Sequence, residues 1–511
     1  MPVTQQGQIN TTALVVPDLY VQIVPPQTQY LNGVPTNILG IVGTASWGPT
    51  NSPTTVGNMA QFGAIFSSIN ARKYDLGTQV ATAIQQGANN IKVVRVTDGT
   101  DTAASVAVLT NCITFTSKYT GTFGNQIQVT VSPGSQTGTF KVVVGAPGLV
   151  PEAFDNIGNG LSGNALWLAI AAAVNNGTSA LRGPSQIVVA SAGAGTTAPA
   201  SATYSLTGGT DGATTITGSV LVGVDTVPRK GMYALRNTGA SVAILADCDD
   251  NTTWATQVTF GLSEGIYMIM TGPSGDSISN AVTTKSTAGI DSYAAKLCFG
   301  DWVYWLDTYN NVLRVVSPQG FFGGLLVNLS PQNSTLNKQM QGIVGTQKSY
   351  SNQQYSAAEL QQLVSAGIDV ITNPVPGGNY FGARVGHNSS SNPMINGDNY
   401  TRMTNYIAYT INAGMGKFVG LLQSATVRSQ AAATLSSFFS NLQQQGMIGD
   451  PNGGAAFSVQ VDANNNPSSR VALGYLQADV KVKYLAVIEK FLINVEGGTS
   501  VQIQKQQTQL A

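Results

Sequence analysis

Charge is scarce in this chain. Lys and Arg together number 24, Asp and Glu 24, so 9% of the 511 residues are charged and the formal net charge is zero, against about 25% charged residues in ordinary globular proteins. A surface so poor in charge must be covered by amides, hydroxyls and glycine, or by other subunits. Zero net charge supplies little colloidal repulsion and no basic footprint, which favours self-association and argues against nucleic acid as a partner. Histidine occurs once, at His387 in the loop "RVGHNSSSNP". That excludes any zinc site with several histidines and leaves one residue for any histidine-dependent triad, with no partner identifiable in the sequence. The three cysteines, Cys112, Cys248 and Cys298, are widely separated and odd in number, as expected of reduced, buried thiols. The strongest apolar run, "ALWLAIAAAV", falls far below the ~20 residues of a membrane span, and the start "MPVTQQGQINTT" has no basic and apolar leader pattern. A soluble chain, not exported by that route, is the expectation.

What is present resembles chemical motifs without completing them. In "ILGIVGTASWGPTNSP", the strand leading to Ser46 suggests a nucleophile elbow or a phosphate loop. The elbow needs glycine where Thr44 stands, and the phosphate loop needs a lysine that Trp47-Gly48-Pro49 does not offer. A buried strand, Ile38 to Val42, ended by a turn with an exposed Trp47, is the remaining reading. Gly158-Asn159-Gly160-Leu161-Ser162-Gly163 matches G-x-G-x-x-G before a helix, yet no hydrophobic strand leads into it and no acid follows about 20 residues on. Asp247, Asp249 and Asp250 open like a calcium loop, but position six is Thr252 and position twelve Val258, so they read as a solvated strand end. No catalytic, cofactor-binding or metal-binding residue is therefore assigned, and no cofactor.

At roughly one domain per 150 residues this length suggests about three domains, and 42% apolar residues suffice for real cores. Residues 1–25 read as an arm: "LVVPDLYVQIVPPQ" alternates Leu19, Val21 and Ile23 against Tyr20, Gln22 and Val24, has no hairpin partner nearby, and leaves through Pro25-Pro26. Residues 26–96 form an α/β unit, with a helix from Asp75 to Gln86 stopped at Gly87 and a strand in "NNIKVVRV". Residues 97–212, short Thr/Val strands with Gly-rich turns, read as an inserted β-rich domain containing one helix, "NALWLAIAAAVNNG". Residues 213–384 return to α/β, with strands in "VAILADC", "IYMIMTGP" and "VLRVVSP" and a capping box at Ser356 and Glu359; buried parallel strands form the expected core. Residues 385–493 are helical and then extended. Ala431, Leu435, Phe438 and Leu442 share a helix face before a stop at Gly446, and strand alternation runs through Val480, Val482 and Tyr484 and again through Phe491, Ile493 and Val495. Residues 494–511 are a Gly497-Gly498 linker and a second arm containing Val501 and Ile503. The fold class is α/β, multidomain.

Several segments, in order, resemble contractile bacteriophage tail sheath proteins: "DLYVQIVPP", "GTASWGPTNSPTTV", "FGAIF" and "NNIKVVRV" near the start, then "TGTFGNQIQVTV", "VVSPQGFFGGLLV" and "NNNPSSRVALGYLQADVKVKYLAVIEKFLINV". Each motif is degenerate, but order and spacing together are specific, and they span nearly the whole chain. The segment "MQGIVGTQKS" departs from the more hydrophobic stretch of many such proteins.

The resemblance implies that 26–96 and 385–493 are two parts of one core domain. It also implies a structural subunit, not an enzyme, that stacks as hexameric rings around an inner tail tube, contacts baseplate and tail terminator proteins, and shortens to drive the tube through the host envelope. Its place would be the virion tail, after assembly in the host cytoplasm. Strand exchange between subunits would use Leu19, Tyr20, Val21, Ile23 and Val24 of one arm and Val501 and Ile503 of the other, with Pro25, Pro26, Gly497 and Gly498 as hinges. Arms of this kind suit β-augmentation between neighbours. A pyocin-like or extracellular injection-system sheath would carry the same features. A doubly wound α/β enzyme, with a crevice after "VAILADC" or "IYMIMTGPSGD", is the rival from another class.

Overall fold

The computed structural model describes residues 3–6, 20–23 and 31–495. Its first strands, β1 (Val3–Gln6) and β2 (Tyr20–Ile23), pair with each other in parallel, Val3 opposite Tyr20. Sequence reasoning left β2 without a partner nearby because "VTQQ" carries no apolar alternation to announce a strand.

From Leu31 the chain builds a doubly wound layer. β3 (Leu39–Gly43), β4 (Thr54–Val56), α1 (Met59–Phe66), α2 (Leu76–Gln85) and β5 (Ile91–Arg95) follow in order. Every residue of β3 is buried, as a parallel strand covered on both faces requires. α2 starts where the Asp75 carboxylate accepts the Thr78 N–H at 2.8 Å. It ends before Gly87, whose φ of +98° strains any other residue.

The inserted unit contains β6 (Ser105–Val108), β7 (Ile113–Ser117), β8 (Gln128–Pro133), β9 (Phe140–Gly145), β10 (Glu152–Ile157), α3 (Gly163–Asn176), β11 (Val188–Ala192) and β12 (Ala202–Ser205). They form two antiparallel sheets, β10-β9-β8-β12 and β11-β7-β6, around a core centred on Trp167 of α3. A strand, β10, leads into the Gly158 motif, but it is not the hydrophobic strand that a dinucleotide fold requires. It is an antiparallel edge strand with a bulge, and its polar "EAFDN" hides it from a hydrophobic scan. Gly158 and Gly160 both have positive φ and serve as a turn.

The chain then returns to the layer with α4 (Gly218–Val222), β13 (Val242–Leu245), α5 (Trp254–Glu264), β14 (Tyr267–Thr271), α6 (Ile278–Thr287) and β15 (Ala295–Cys298). Next come β16 (Val303–Asp307), β17 (Val312–Val316), α7 (Gln319–Asn328), β18 (Ile343–Thr346), α8 (Gln347–Tyr350), α9 (Ala357–Ser365), β19 (Ile371–Thr372) and β20 (Gly382–Ala383). β18 occupies the divergent "MQGIVGTQKS" segment. The Ser356 and Glu359 side chains form the reciprocal box that opens α9.

The main sheet has the order β15-β14-β13-β3-β5-β4, all parallel except β4. Strands read as belonging to separate units, β3 and β5 from 26–96 and β13 to β15 from 213–384, therefore share one sheet. Alternate residues supply its two cores: Ile41, Val93 and Ile244 face α2 and α7, while Val42, Val94 and Leu245 face the α5 and α9 side. Each such side chain stabilises the layer by about 1.5–3 kcal/mol on full burial.

The last part holds α10 (Asp398–Met415), α11 (Ala425–Gln444), β21 (Phe457–Gln460), α12 (Ser468–Val471) and β22 (Asp479–Val482). Ala431, Leu435, Phe438 and Leu442 of α11 are buried as their spacing demands. The last three cluster with Leu31, Met403 and Ile407, and Gly446 takes the left-handed stop at φ +68°.

Candidate assembly surface

α10 is anchored by buried charge at its first turn. Lys296 of β15 donates to Asp398 at 3.0 Å, lies 2.5 Å from Asp369, and reaches the His387 carbonyl at 2.9 Å. The Tyr267 and Thr335 hydroxyls donate to the same Asp398 carboxylate at 2.6 and 2.5 Å. Burial works against the Lys296 ammonium, but Asp369 and Asp398 outweigh it and hold its pKa above the ordinary lysine value. Burial likewise pushes the Asp398 carboxyl up, and Lys296 with the two hydroxyls more than offsets this, leaving it below the usual range. Arg402 of α10 is also buried and donates to the carbonyls of Leu329, Ser330 and Thr36; burial lowers its pKa to about 10. Two cations and two carboxylates thus balance inside the protein, and removing one member leaves an uncompensated buried charge.

His387, read from sequence as a loop residue without a partner, belongs to this anchor. It is buried, and its Nε2 lies 2.7 Å from Glu489 Oε1. Glu489 sits on the segment 483–495, which leaves β22 without forming a strand. Asn399 holds that segment at the Leu485 carbonyl (3.2 Å), and Tyr400 packs edge-on against Tyr484. An open groove of about 780 Å³ runs between α10, β22 and residues 484–489. Further on the apolar side chains turn to solvent: Phe491, Leu492, Ile493 and Val495 are each at least 65% exposed. The alternation through Phe491, Ile493 and Val495 is therefore not realised as a strand within the described residues. Beside it, β21 and β22 form a sheet of only two strands, antiparallel, with Phe457 opposite Val482.

Of the residues assigned to strand exchange, Tyr20, Val21 and Ile23 lie in β2. Leu19, Val24, Pro25, Pro26, Gly497, Gly498, Val501 and Ile503 lie outside the described residues.

A second junction, which sequence reasoning missed, fixes the inserted unit to the layer. Trp47 is buried, correcting its reading as exposed, and packs on Tyr119 and Phe123 of the inserted unit with ring centroids 5.2 Å away in both cases. Arg95, at the end of β5, is fully buried and donates to the carbonyls of Gly48, Thr120 and Asp211. Asp98 accepts from Thr100 on one connecting strand and from Thr214 and Thr215 on the other. The arginine that ends the strand in "IKVVRV" was the available signal.

Asp247 corrects another reading. It is buried, accepts from the Tyr74 N–H (3.0 Å) and the Gln79 amide (2.8 Å), and burial raises its pKa. Asp249 pairs with Lys73, and Asp250 caps the turn at Asn251–Thr253. The same Gln79 amide also donates to Ser317, and all three side chains are buried just past the carboxyl end of β13, beside β3 where strand order reverses. Among the described residues no cluster of His, Cys, Asp or Glu is suited to hold a metal, and Cys112, Cys248 and Cys298 are free and buried.

The doubly wound layer with an antiparallel insertion and a terminal helix pair defines a mixed α/β, multidomain fold, and it is the fold of contractile sheath proteins. A sheath tail protein from Desulfitobacterium hafniense is similar with a TM-score of 0.60 at 16% identity, over 87% of this chain and 94% of that one. A sheath tail protein from Listeria innocua gives 0.59 at 13% identity, over 85% and 90%. The contracted sheath of an extracellular contractile injection system gives 0.55 at 10% identity, over 96% and 99%. No family model matches the sequence, and no curated protein matches it either.

Proposed function

We propose that this chain is the structural subunit of a contractile sheath, which polymerises around an inner tube and shortens to drive that tube through a cell envelope. The observation that carries the reading is the extent of the fold similarity, which takes in nearly all of the chain and nearly all of a contracted sheath subunit. It is supported by the surface. Among the described strands, none pairs with the apolar terminal segment and its strand alternation beside the two-stranded sheet, and β2 has only β1 beside it. Two-stranded sheets are marginal alone. In the assembly, the β2 arm of one subunit and the Val501 to Ile503 arm of another add to the β21–β22 sheet of a third, and Pro25, Pro26, Gly497 and Gly498 absorb the rotation. Stacked hexameric rings, baseplate and terminator proteins, and a place in a phage tail belong to this proposal.

A sheath of an extracellular injection system is the second reading, favoured by the third of the structural likenesses above. Work without a catalyst requires a metastable packing that relaxes. The test is deletion of residues 1–24. A folded, soluble subunit that forms no tubes is expected, and tubes of normal length from the truncation would overturn the arm assignment.

A further inference from the structure

The β17-β16-β18 sheet packs against α2 and α7 with one face, and the apolar side chains of its other face are partly exposed. Inward are Val303, Trp305 and Val316, all buried, and the two charges of the hairpin: Arg314 donates to Asp307 at 2.8 Å and lies over the Trp305 ring. Strand pairing sets Tyr304 opposite Val315 and Leu306 opposite Leu313, so these four share the outward face. Leu306 is 48% exposed and Leu313 38%. Gly345, opposite Tyr304, leaves room for Tyr350 to stack on Tyr304 with centroids 4.1 Å apart, and Val344 projects at the bulge beside them. No Lys, Arg, Asp or Glu of the three strands points outward. β17 is also an edge, paired only with β16 among the described strands. Natural edges are guarded by lysine, proline, inward-pointing charge or a cover; β17 has no lysine or proline, and its one charge, Arg314, points inward to Asp307.

We infer that the outward face of β16–β17, centred on Leu306 and Leu313, is buried against a second copy of this chain, as a contact separate from the terminal arms. The occupant follows from charge. An apolar face without a single charged rim residue on its strands gains most from a partner that brings few charges to desolvate, and this chain, at 9% charged residues and zero net charge, is such a partner. The inference rests on the proposed polymer, in which copies are set against several faces of each subunit.

The test uses the full chain with Leu313→Cys, since the native cysteines are buried. Maleimide labelling of the introduced thiol is measured in free subunits and in tubes grown from the purified chain alone, where only another copy can shield it. Labelling at least about tenfold slower in tubes is expected, because a close-packed interface excludes the reagent. Equal rates in tubes and subunits would overturn this contact while leaving the polymer intact. Failure of the parent chain to form any tube would overturn the polymer and the contact together. As a second arm, Leu306→Glu with Leu313→Glu should keep the parent's thermal unfolding and lose tube formation; normal tubes from this variant would also overturn the contact.

Discussion

His387 Nε2 and Glu489 Oε1 lie 2.7 Å apart although 102 residues separate them in the chain. The histidine is buried beside Lys296, whose ammonium takes its carbonyl oxygen; the glutamate is the last tethered point before an exposed apolar strip. The pair therefore divides the terminal segment into a part held by the body and an exposed apolar part. Glu489→Gln should loosen the held part. Amide exchange in 484–490 is expected to rise, while global stability changes by no more than about 1 kcal/mol, as for an exposed partner of a surface pair. Unchanged exchange would show that Asn399 and Tyr400 hold the segment without help.

Lys296→Met should be severe. It strands Asp369 and Asp398 in the interior, and breaking a buried pair from one side costs about 3–5 kcal/mol. Denaturant unfolding reads this directly. The loss should shrink when Asp369→Asn and Asp398→Asn accompany it, since the repulsion they remove is the cause.

Trp47→Ala should cost about 3–5 kcal/mol, as large aromatic truncations in cores do. Its particular signature is loss at the junction: the inserted unit, no longer packed through Tyr119 and Phe123, should be cut at 97–100 or 213–215 by limited proteolysis while the layer remains resistant. Cleavage spread evenly over the chain would place the weakness elsewhere.

Asp75 supplies a pH dependence whose sign is fixed. Burial raises its folded-state pKa to about 6 from the usual 3.8, with the Thr78 bonds and nearby arginines opposing. A carboxyl raised on folding takes up protons when the chain folds. Its contribution is therefore most favourable below pH 3.8 and is lost as pH rises to about 6. Asp75→Asn, which retains a capping oxygen, should remove this component, so that stability measured from about pH 4 to 6.5 falls less steeply with rising pH than in the parent. Identical slopes would contradict it.

Local rules made much of this fold legible. The α11 stripe of Leu435, Phe438 and Leu442, the Ser356 and Glu359 box, and the buried strand of β3 depend on neighbours in sequence and read correctly. What was missed depends on distant partners. Trp47 is buried by residues of the insertion, Asp247 by α2, and His387 by the far terminus. The alternation of Phe491, Ile493 and Val495 failed for a different reason: a strand needs an edge, and among the described residues none is paired with it. β1 and β10 were hidden by polar composition. The arm and hinge residues assigned from the sheath resemblance fall mostly outside the described residues, so geometry adds to them only the β1–β2 pairing.

The central claim is that this chain polymerises by itself into a sheath. Negative-stain electron microscopy of the purified full-length chain tests it most directly. The account predicts hollow tubes with helical striations, formed without nucleotide or any added ligand, and abolished by deletion of residues 1–24. A field of single particles of one chain's size, unchanged at high protein concentration and in the presence of a tube to enclose, would contradict it.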